Sequence, residues 1–249
     1  MSGHNRWSKI KHKKAASDAG RSKIWSKVIK ELTVAARMGG GDPAGNPRLR
    51  TAVDKARGAN MPNDTIDRAI KKGTGDLEGV SYEEITYEGY GPGGVALMIE
   101  VLTDNRTRAV AEVRNVLARH GGNFGATGSV AHIFKKHGTI VVEKSVVAED
   151  RLMELALEAG ADDVRDAGEH FEIETDPAHY LTVKDALEKA KVAILHGEVG
   201  LVPSTRVAVD DEDKARSVLK LLAAIEDNDD VQNVYANHEI PDALLEKLS

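Results

Sequence analysis

Lysine and arginine side chains are concentrated at the start of the chain. Residues 1–37 contain 10 of them against 2 acidic residues, and residues 1–80 contain 17 against 8. Cationic side chains at this density suit phosphate contacts, because each neutralised phosphate releases a counterion from a nucleic acid. The sequence therefore predicts a nucleic-acid-binding surface. Its predicted contact residues are Trp7, Lys9, Lys11, Lys13, Lys14, Arg21, Lys23, Lys27, Arg48, Arg50, Lys71 and Lys72.

Trp7 is the aromatic member of this set. It lies within residues 6–14, a basic stretch that lacks helical or strand periodicity and that we expect to be an extended arm. Its indole suits stacking on an unpaired base. An equally good interpretation is a hydrophobic anchor that holds the arm to the folded domain, and the sequence does not choose between the two.

The rest of the chain has the opposite charge. Residues 1–80 carry a net charge of +9 and residues 81–249 carry −15, which gives −6 for the whole chain. An acidic body repels polyanions, so we expect a nucleic acid to dock on the first eighty residues. A basic surface that is merely solvated is the alternative interpretation.

Signatures of catalysis and cofactor binding are absent from the sequence. There is no cysteine, and the 9 histidines form no metal-binding spacing. The glycine-rich residues 122–128 follow a predicted helix and lead into a strand, which is the reverse of a dinucleotide-binding loop. Acidic runs at 210–213 and 226–230 are interpreted as solvated helix ends. We therefore expect no enzymatic activity, no cofactor, no metal and no small-molecule substrate.

The sequence also favours a cytoplasmic protein without a membrane partner. No apolar run approaches the roughly 20 residues that span a bilayer. The N-terminus is charged from its sixth residue and shows no secretory signal.

Hydrophobic periodicity predicts three helices in the first 75 residues. The first begins near Asp18 and ends at the glycines 39–41. The second begins after Asn46, which precedes a proline suited to the first helical position, and ends at Gly58. The third ends at residues 73–75. Three helices with a basic face are compatible with a helix-turn-helix, although their spacing does not require one.

Alternating apolar patterns after residue 79 predict an α+β fold. The element order is β-β-α-β, then β-α-β-β-α-β, which is the ferredoxin-like order, then β-α-β. We predict three domains: a three-helix domain and two ferredoxin-like α+β domains, the third inserted in the second. A linear run of βα units is the rival arrangement. The predicted boundaries are 1–79 for the helical domain, 80–136 and 204–249 for the discontinuous domain, and 137–203 for the inserted one.

The chain contains the blocks GHNRWSKIKHKK at 3–14, NPRLR at 46–50, NMPNDTIDRAIKKGTG at 60–75, YEGYGPGG at 87–94, LTDNR at 102–106 and GGNFGATGSV at 121–130. These blocks resemble the YebC/PmpR family. The resemblance extends over essentially the whole chain and is densest between residues 3 and 130. The sequence departs from the family pattern at Asn5 and Arg6, where Ser-Lys is usual, at Gly20, where a basic residue is usual, and at Phe124, where Leu is usual.

This resemblance implies a crescent of one helical and two α+β domains and a DNA-binding transcriptional regulator without enzymatic activity. A mitochondrial relative activates translation, and bacterial members are linked to the rescue of ribosomes stalled at proline runs. The alternative function is therefore a ribosome-associated translation factor that binds ribosomal RNA or tRNA and relieves stalling. The expected partner is DNA in the first case and ribosomal RNA, as part of the ribosome, in the second.

Overall fold

The structure is a computed structural model that describes residues 18–168 and 170–248. The described chain divides into two compact units. The smaller comprises residues 132–206, and the larger comprises residues 18–131 together with 207–248. The larger unit contains a helical domain and an α+β domain.

Three helices form the helical domain, and their ends follow from local chemistry. The side chain of Asn46 caps the second helix by accepting a hydrogen bond from the Leu49 amide at 3.1 Å. Its amide group also donates to the carbonyls of Ala35 at 2.8 Å and Gly40 at 2.9 Å, at the end of the first helix. One buried asparagine therefore fixes both ends of the turn. The helices are α1 (Asp18–Gly39), α2 (Pro47–Gly58) and α3 (Asn63–Thr74).

Close packing of α3 on α1 depends on Gly73. A Cβ atom at this position would lie 2.3 Å from the carbonyl oxygen of Thr33, so only glycine lets the two backbones approach. At the other end of α1, Trp25 Nε1 donates to the carbonyl of Ala59 at 3.0 Å and holds the end of α2. Leu32 and Leu49 are fully buried in the shared core.

The α+β domain of the larger unit is a four-stranded sheet with two helices packed on one face. β1 (Glu83–Tyr90) and β2 (Ala96–Thr103) form an antiparallel hairpin. β9 (Val231–Ala236) pairs with the free side of β2, and β3 (Asn123–Phe124) pairs with β1. Leu97 and Ile99 on the sheet and Leu117 and Leu221 on the helices share one core. The strands and helices are β1 (Glu83–Tyr90), β2 (Ala96–Thr103), α4 (Arg106–Arg119), β3 (Asn123–Phe124), β8 (Val207–Ala208), α7 (Glu212–Glu226), β9 (Val231–Ala236), β10 (His238–Glu239) and α8 (Asp242–Leu248), of which β8 pairs with β10.

The smaller unit has the ferredoxin-like order that the sequence predicted. Its antiparallel sheet runs β5–β6–β4–β7, and Ile140 lies opposite Ile173 at the centre. The mixed α+β class is thereby confirmed for the described chain. The elements are β4 (Phe134–Glu143), α5 (Glu149–Glu158), β5 (Ala161–Asp166), β6 (His170–Thr175), α6 (Tyr180–Lys189) and β7 (Ile194–Pro203).

The strand predicted at 130–134 is wrong for most of its length, because Ala131–Ile133 form a 3-10 turn. The carboxylate of Glu88, only 6% exposed, accounts for the difference. It accepts backbone hydrogen bonds from this segment, so those amides cannot pair with a neighbouring strand. The donors are Gly128 at 2.6 Å, Val130 at 2.7 Å and Ala131 at 2.9 Å.

Asp230 joins the helical domain to the α+β domain. Its buried carboxylate accepts hydrogen bonds from Lys30 on α1 at 2.6 Å, from Arg108 on α4 at 2.7 Å and from Thr103 on β2 at 2.9 Å. Burial by itself would raise the pKa of Asp230, but the hydrogen bonds from Arg108, Lys30 and Thr103 outweigh it and lower the pKa. The folded protein therefore favours the ionised form.

Within the part of the chain that the structure describes, no helix has both the length and the apolar character needed to cross a bilayer.

We expect Glu88→Ala to destabilise the α+β domain by about 3 kcal/mol, because three backbone donors lose a charged acceptor. Hydrogen exchange should become faster at the amides of Gly128, Val130 and Ala131, and the amide of Ile173 in the smaller unit serves as the control. Glu88→Gln keeps an acceptor oxygen and should have a smaller effect. Unchanged exchange at Val130 in the alanine variant would contradict this assignment.

Asp230→Asn should lower the free energy of unfolding by about 2 kcal/mol near neutral pH, because Lys30 and Arg108 lose their charged partner. The folded pKa lies below the unfolded value of 3.8. The stabilisation is therefore present above about pH 4 and is lost as the pH falls through the folded pKa. Denaturant unfolding of both proteins across this range should show the difference shrinking on acidification, and a growing difference would refute the linkage.

Candidate nucleic-acid interface

Five of the predicted contact residues lie outside the described residues: Trp7, Lys9, Lys11, Lys13 and Lys14. They remain sequence predictions. Of the remaining seven, Arg21 is exposed near the start of α1. The other six divide into side chains that contact other parts of the chain and side chains that face solvent.

Lys23, Lys27 and Lys30 form one stripe along α1, since successive spacings of four and three residues follow the helical turn. All three ammonium groups reach the C-terminal end of α7. Two predicted phosphate contacts, Lys23 and Lys27, are therefore engaged within the protein. The acceptors are Asp227 Oδ1 for Lys23 at 2.5 Å, the Glu226 carbonyl for Lys27 at 2.6 Å, and the Asp229 carbonyl for Lys30 at 2.9 Å.

The stripe satisfies an electrostatic need of α7. The last turn of a helix leaves carbonyl groups without intrahelical partners and carries partial negative charge. Carboxylates are unfavourable there, yet this helix ends in the acidic run of residues 226–230. The lysine stripe supplies the compensating cations.

Arg48 joins α2 to two other elements. Its Nε and Nη2 donate to the carboxylate oxygens of Glu31 on α1 at 2.7 and 3.0 Å, and Nη2 also donates to Glu84 on β1. The hydrogen bond with Glu31 outweighs burial and, together with the bond to Glu84, raises the pKa of the guanidinium. Arg50 is half-buried, and its Nε is buried with no hydrogen-bond partner among the described residues.

Lys71 and Lys72, unlike Arg48 and Arg50, face solvent. Both are exposed in the last turn of α3, held in place by the packing of Gly73 on α1. Among the described carboxylates, none forms an ion pair with either lysine. Lys55 and Arg57 have the same character in the last turn of α2. These four side chains face solvent.

A polar cleft of about 550 Å³ lies beside the lysine stripe. Lys30 Nζ is 5.8 Å from the centre of the Tyr82 ring, and burial, Asp104 and Asp230 together raise the pKa of that tyrosine. Five acidic and three basic residues line the cleft, so its lining carries a net negative charge. Among the described residues, no three acidic or histidine side chains are arranged to hold a metal ion.

The sequence analysis missed Lys30 and Asp230. Lys30 continues the stripe seven residues after Lys23, and an acidic run at a helix C-terminus requires cations nearby. These two signals are present in the sequence, but nothing local connects them across the 200 residues that separate the two side chains.

Comparison with known proteins gives matches over nearly the whole chain. Residues 5–76 match the N-terminal domain of TACO1/YebC proteins, and residues 82–238 match the second and third domains. The crystal structure of a conserved hypothetical protein from Aquifex aeolicus superposes with a TM-score of 0.81 at 50% identity. It covers 90% of this chain and 93% of the other.

Two similar relatives are both named as probable transcriptional regulatory proteins. The one from Geobacter sulfurreducens is 58% identical over 248 residues, and the one from Syntrophobacter fumaroxidans is 53% identical over 249 residues. Each alignment covers 100% of both chains. These matches confirm the resemblance carried by the sequence blocks, and the chain belongs to the TACO1/YebC family.

Proposed function

We propose that this protein is a regulatory protein that binds nucleic acid, with DNA as its target in the control of transcription. The observation that carries the proposal is the separation of charge, +9 in residues 1–80 against −15 in the remainder. The names of the relatives support the same role. A target of this kind places the protein in the cytoplasm of a bacterial cell, and the role requires binding rather than catalysis.

The phosphate contacts are assigned to two groups of residues. The first is the basic stretch 6–14, with five lysines and arginines and no acidic residue. The second is the solvent-facing set Lys55, Arg57, Lys71 and Lys72, whose side chains have no carboxylate partner among the described residues. Arg48 is excluded from this set because Glu31 and Glu84 neutralise it.

The target is tested by mobility-shift titration at fixed salt concentration. A promoter duplex, a scrambled duplex and a ribosomal RNA fragment are compared, because affinity without a salt concentration is uninterpretable. Tighter binding to the promoter duplex than to the scrambled one supports a transcriptional regulator. Preference for the RNA, with sedimentation alongside ribosomes at low salt, would instead support the translation factor.

Reversing Lys11, Lys13 and Lys14 to Glu should weaken binding and flatten its salt dependence. Each phosphate contact contributes about 0.9 to the slope of log affinity against log salt. The slope should therefore fall by up to about 3. The control reverses the exposed Lys189, Lys214 and Lys220, which changes the net charge equally on the acidic body. An equal effect of both triple variants would show that overall charge, not the arm, governs binding.

Lys71→Gln combined with Lys72→Gln should reduce the same slope by up to about 2 while leaving the fold intact, because both side chains are exposed. The matched control is Lys189→Gln combined with Lys220→Gln, whose side chains are also exposed. Circular dichroism and thermal unfolding check that the variants remain folded. A slope unchanged from wild type would remove the end of α3 from the interface.

A further inference from the structure

The ion pairs along the lysine stripe differ in exposure from one end to the other. The side chains of Lys30 and Asp230 are 13% and 6% exposed, whereas those of Lys23 and Asp227 are 42% and 72% exposed. Breaking a buried pair leaves an uncompensated charge, but an exposed pair is weak and exchanges partners readily. The pair at Lys30 is therefore fixed, and the pair at Lys23 is open to competition.

The exchangeable pair lies at the end of α1 that continues, along the sequence, into the basic arm. Arg21 is exposed two residues before Lys23. Lys23 is the next cation along the chain, one turn before Lys27 on the same face of α1, and its half-exposed side chain is within reach of a nucleic acid at this end of the helix. In the free protein that position is occupied, because Lys23 donates to Asp227 Oδ1 at 2.5 Å and to the Asp227 carbonyl at 3.3 Å.

We propose that Asp227 acts as an internal substitute for phosphate. It holds Lys23 in the free protein, and a phosphate of the bound nucleic acid displaces it. The Lys23–Asp227 pair is thus an autoinhibitory contact on the nucleic-acid site, and this inference rests on the proposed function.

Displacement has a consequence for salt dependence. When Lys23 transfers to a phosphate, the released Asp227 carboxylate takes up a cation from solution, which offsets one of the counterions released by the nucleic acid. Asp227→Asn removes this uptake. The variant should bind duplex about three- to tenfold more tightly at low salt, with a slope steeper by up to about 1, and the gain should fade at high salt.

Asp229→Asn is the matched control. Asp229 is an exposed carboxylate two residues further on, and its side chain forms no ion pair with a described cation. Removing its charge tests the general effect of a less acidic surface. The same two substitutions are then combined with Lys23→Gln, which removes the Lys23–Asp227 ion pair.

Tighter binding by Asp227→Asn than by Asp229→Asn, with the difference abolished by Lys23→Gln, supports the autoinhibitory contact. Equal gains from the two acidic variants, or a gain that survives Lys23→Gln, would overturn it and leave the proposed function standing. Failure of the wild-type protein to bind duplex or RNA at low salt would overturn both.

Chemical labelling gives a second measurement on the unaltered protein. Acetylation of lysines by a small acylating reagent, read by mass spectrometry, is compared with and without duplex. Lys23 should become protected when duplex is added, while Lys30, held by Asp230 in both states, should not change. Unchanged labelling of Lys23 under conditions where the duplex is bound would refute the displacement.

Discussion

The contact between the helical domain and the α+β domain of the larger unit depends on the C-terminal end of α7. Carbonyl groups and the acidic run 226–230 concentrate negative charge there, and Asp230 is buried within it. An unpaired buried carboxylate would cost about 3–5 kcal/mol, so Lys30 and Arg108 must both reach it. The hydrophobic core of the helical domain and that of the α+β domain share no residue among those described. Hydrogen bonds and ion pairs from Lys23, Lys27 and Lys30 link the two domains.

This use of charge changes how the basic segment is to be understood. The +9 of residues 1–80 overstates the positive surface, because Lys23, Lys30 and Arg48 are paired with carboxylates within the protein. Lys55 and Arg57 in the last turn of α2, and Lys71 and Lys72 in the last turn of α3, have no carboxylate partner among the described residues. The same residue types thus occupy two environments: some are paired with carboxylates within the protein, and others face solvent.

The helical domain could be predicted closely because its signals are local. Asn46 and Pro47 mark the start of α2, and the glycines at 39–41 and Gly75 mark helix ends, as observed. The ferredoxin-like unit was predictable for the same reason. The segment near Val130 was not, because its amides bond to the side chain of Glu88, 42 residues away. An apolar run there suggests a strand, and only the tertiary contact shows that its hydrogen bonds are already committed.

The candidate interface also depends on contacts between residues that are distant in sequence, which local sequence patterns do not reveal. Sequence identified Lys23 as a cation suited to phosphate, and it identified the acidic run as a solvated helix end, but the two lie 204 residues apart. The hydrogen bond from Lys23 to Asp227 shows that the cation and the acidic helix end belong to one contact. An ammonium group held by one exposed carboxylate is already in the environment that a phosphate would provide. The Lys23–Asp227 pair therefore does not argue against a binding role, whereas Arg48 is held by two carboxylates. Exposure decides between the roles: Lys30 is too buried to change partners, whereas Lys23 remains within reach of solvent and of a competing anion.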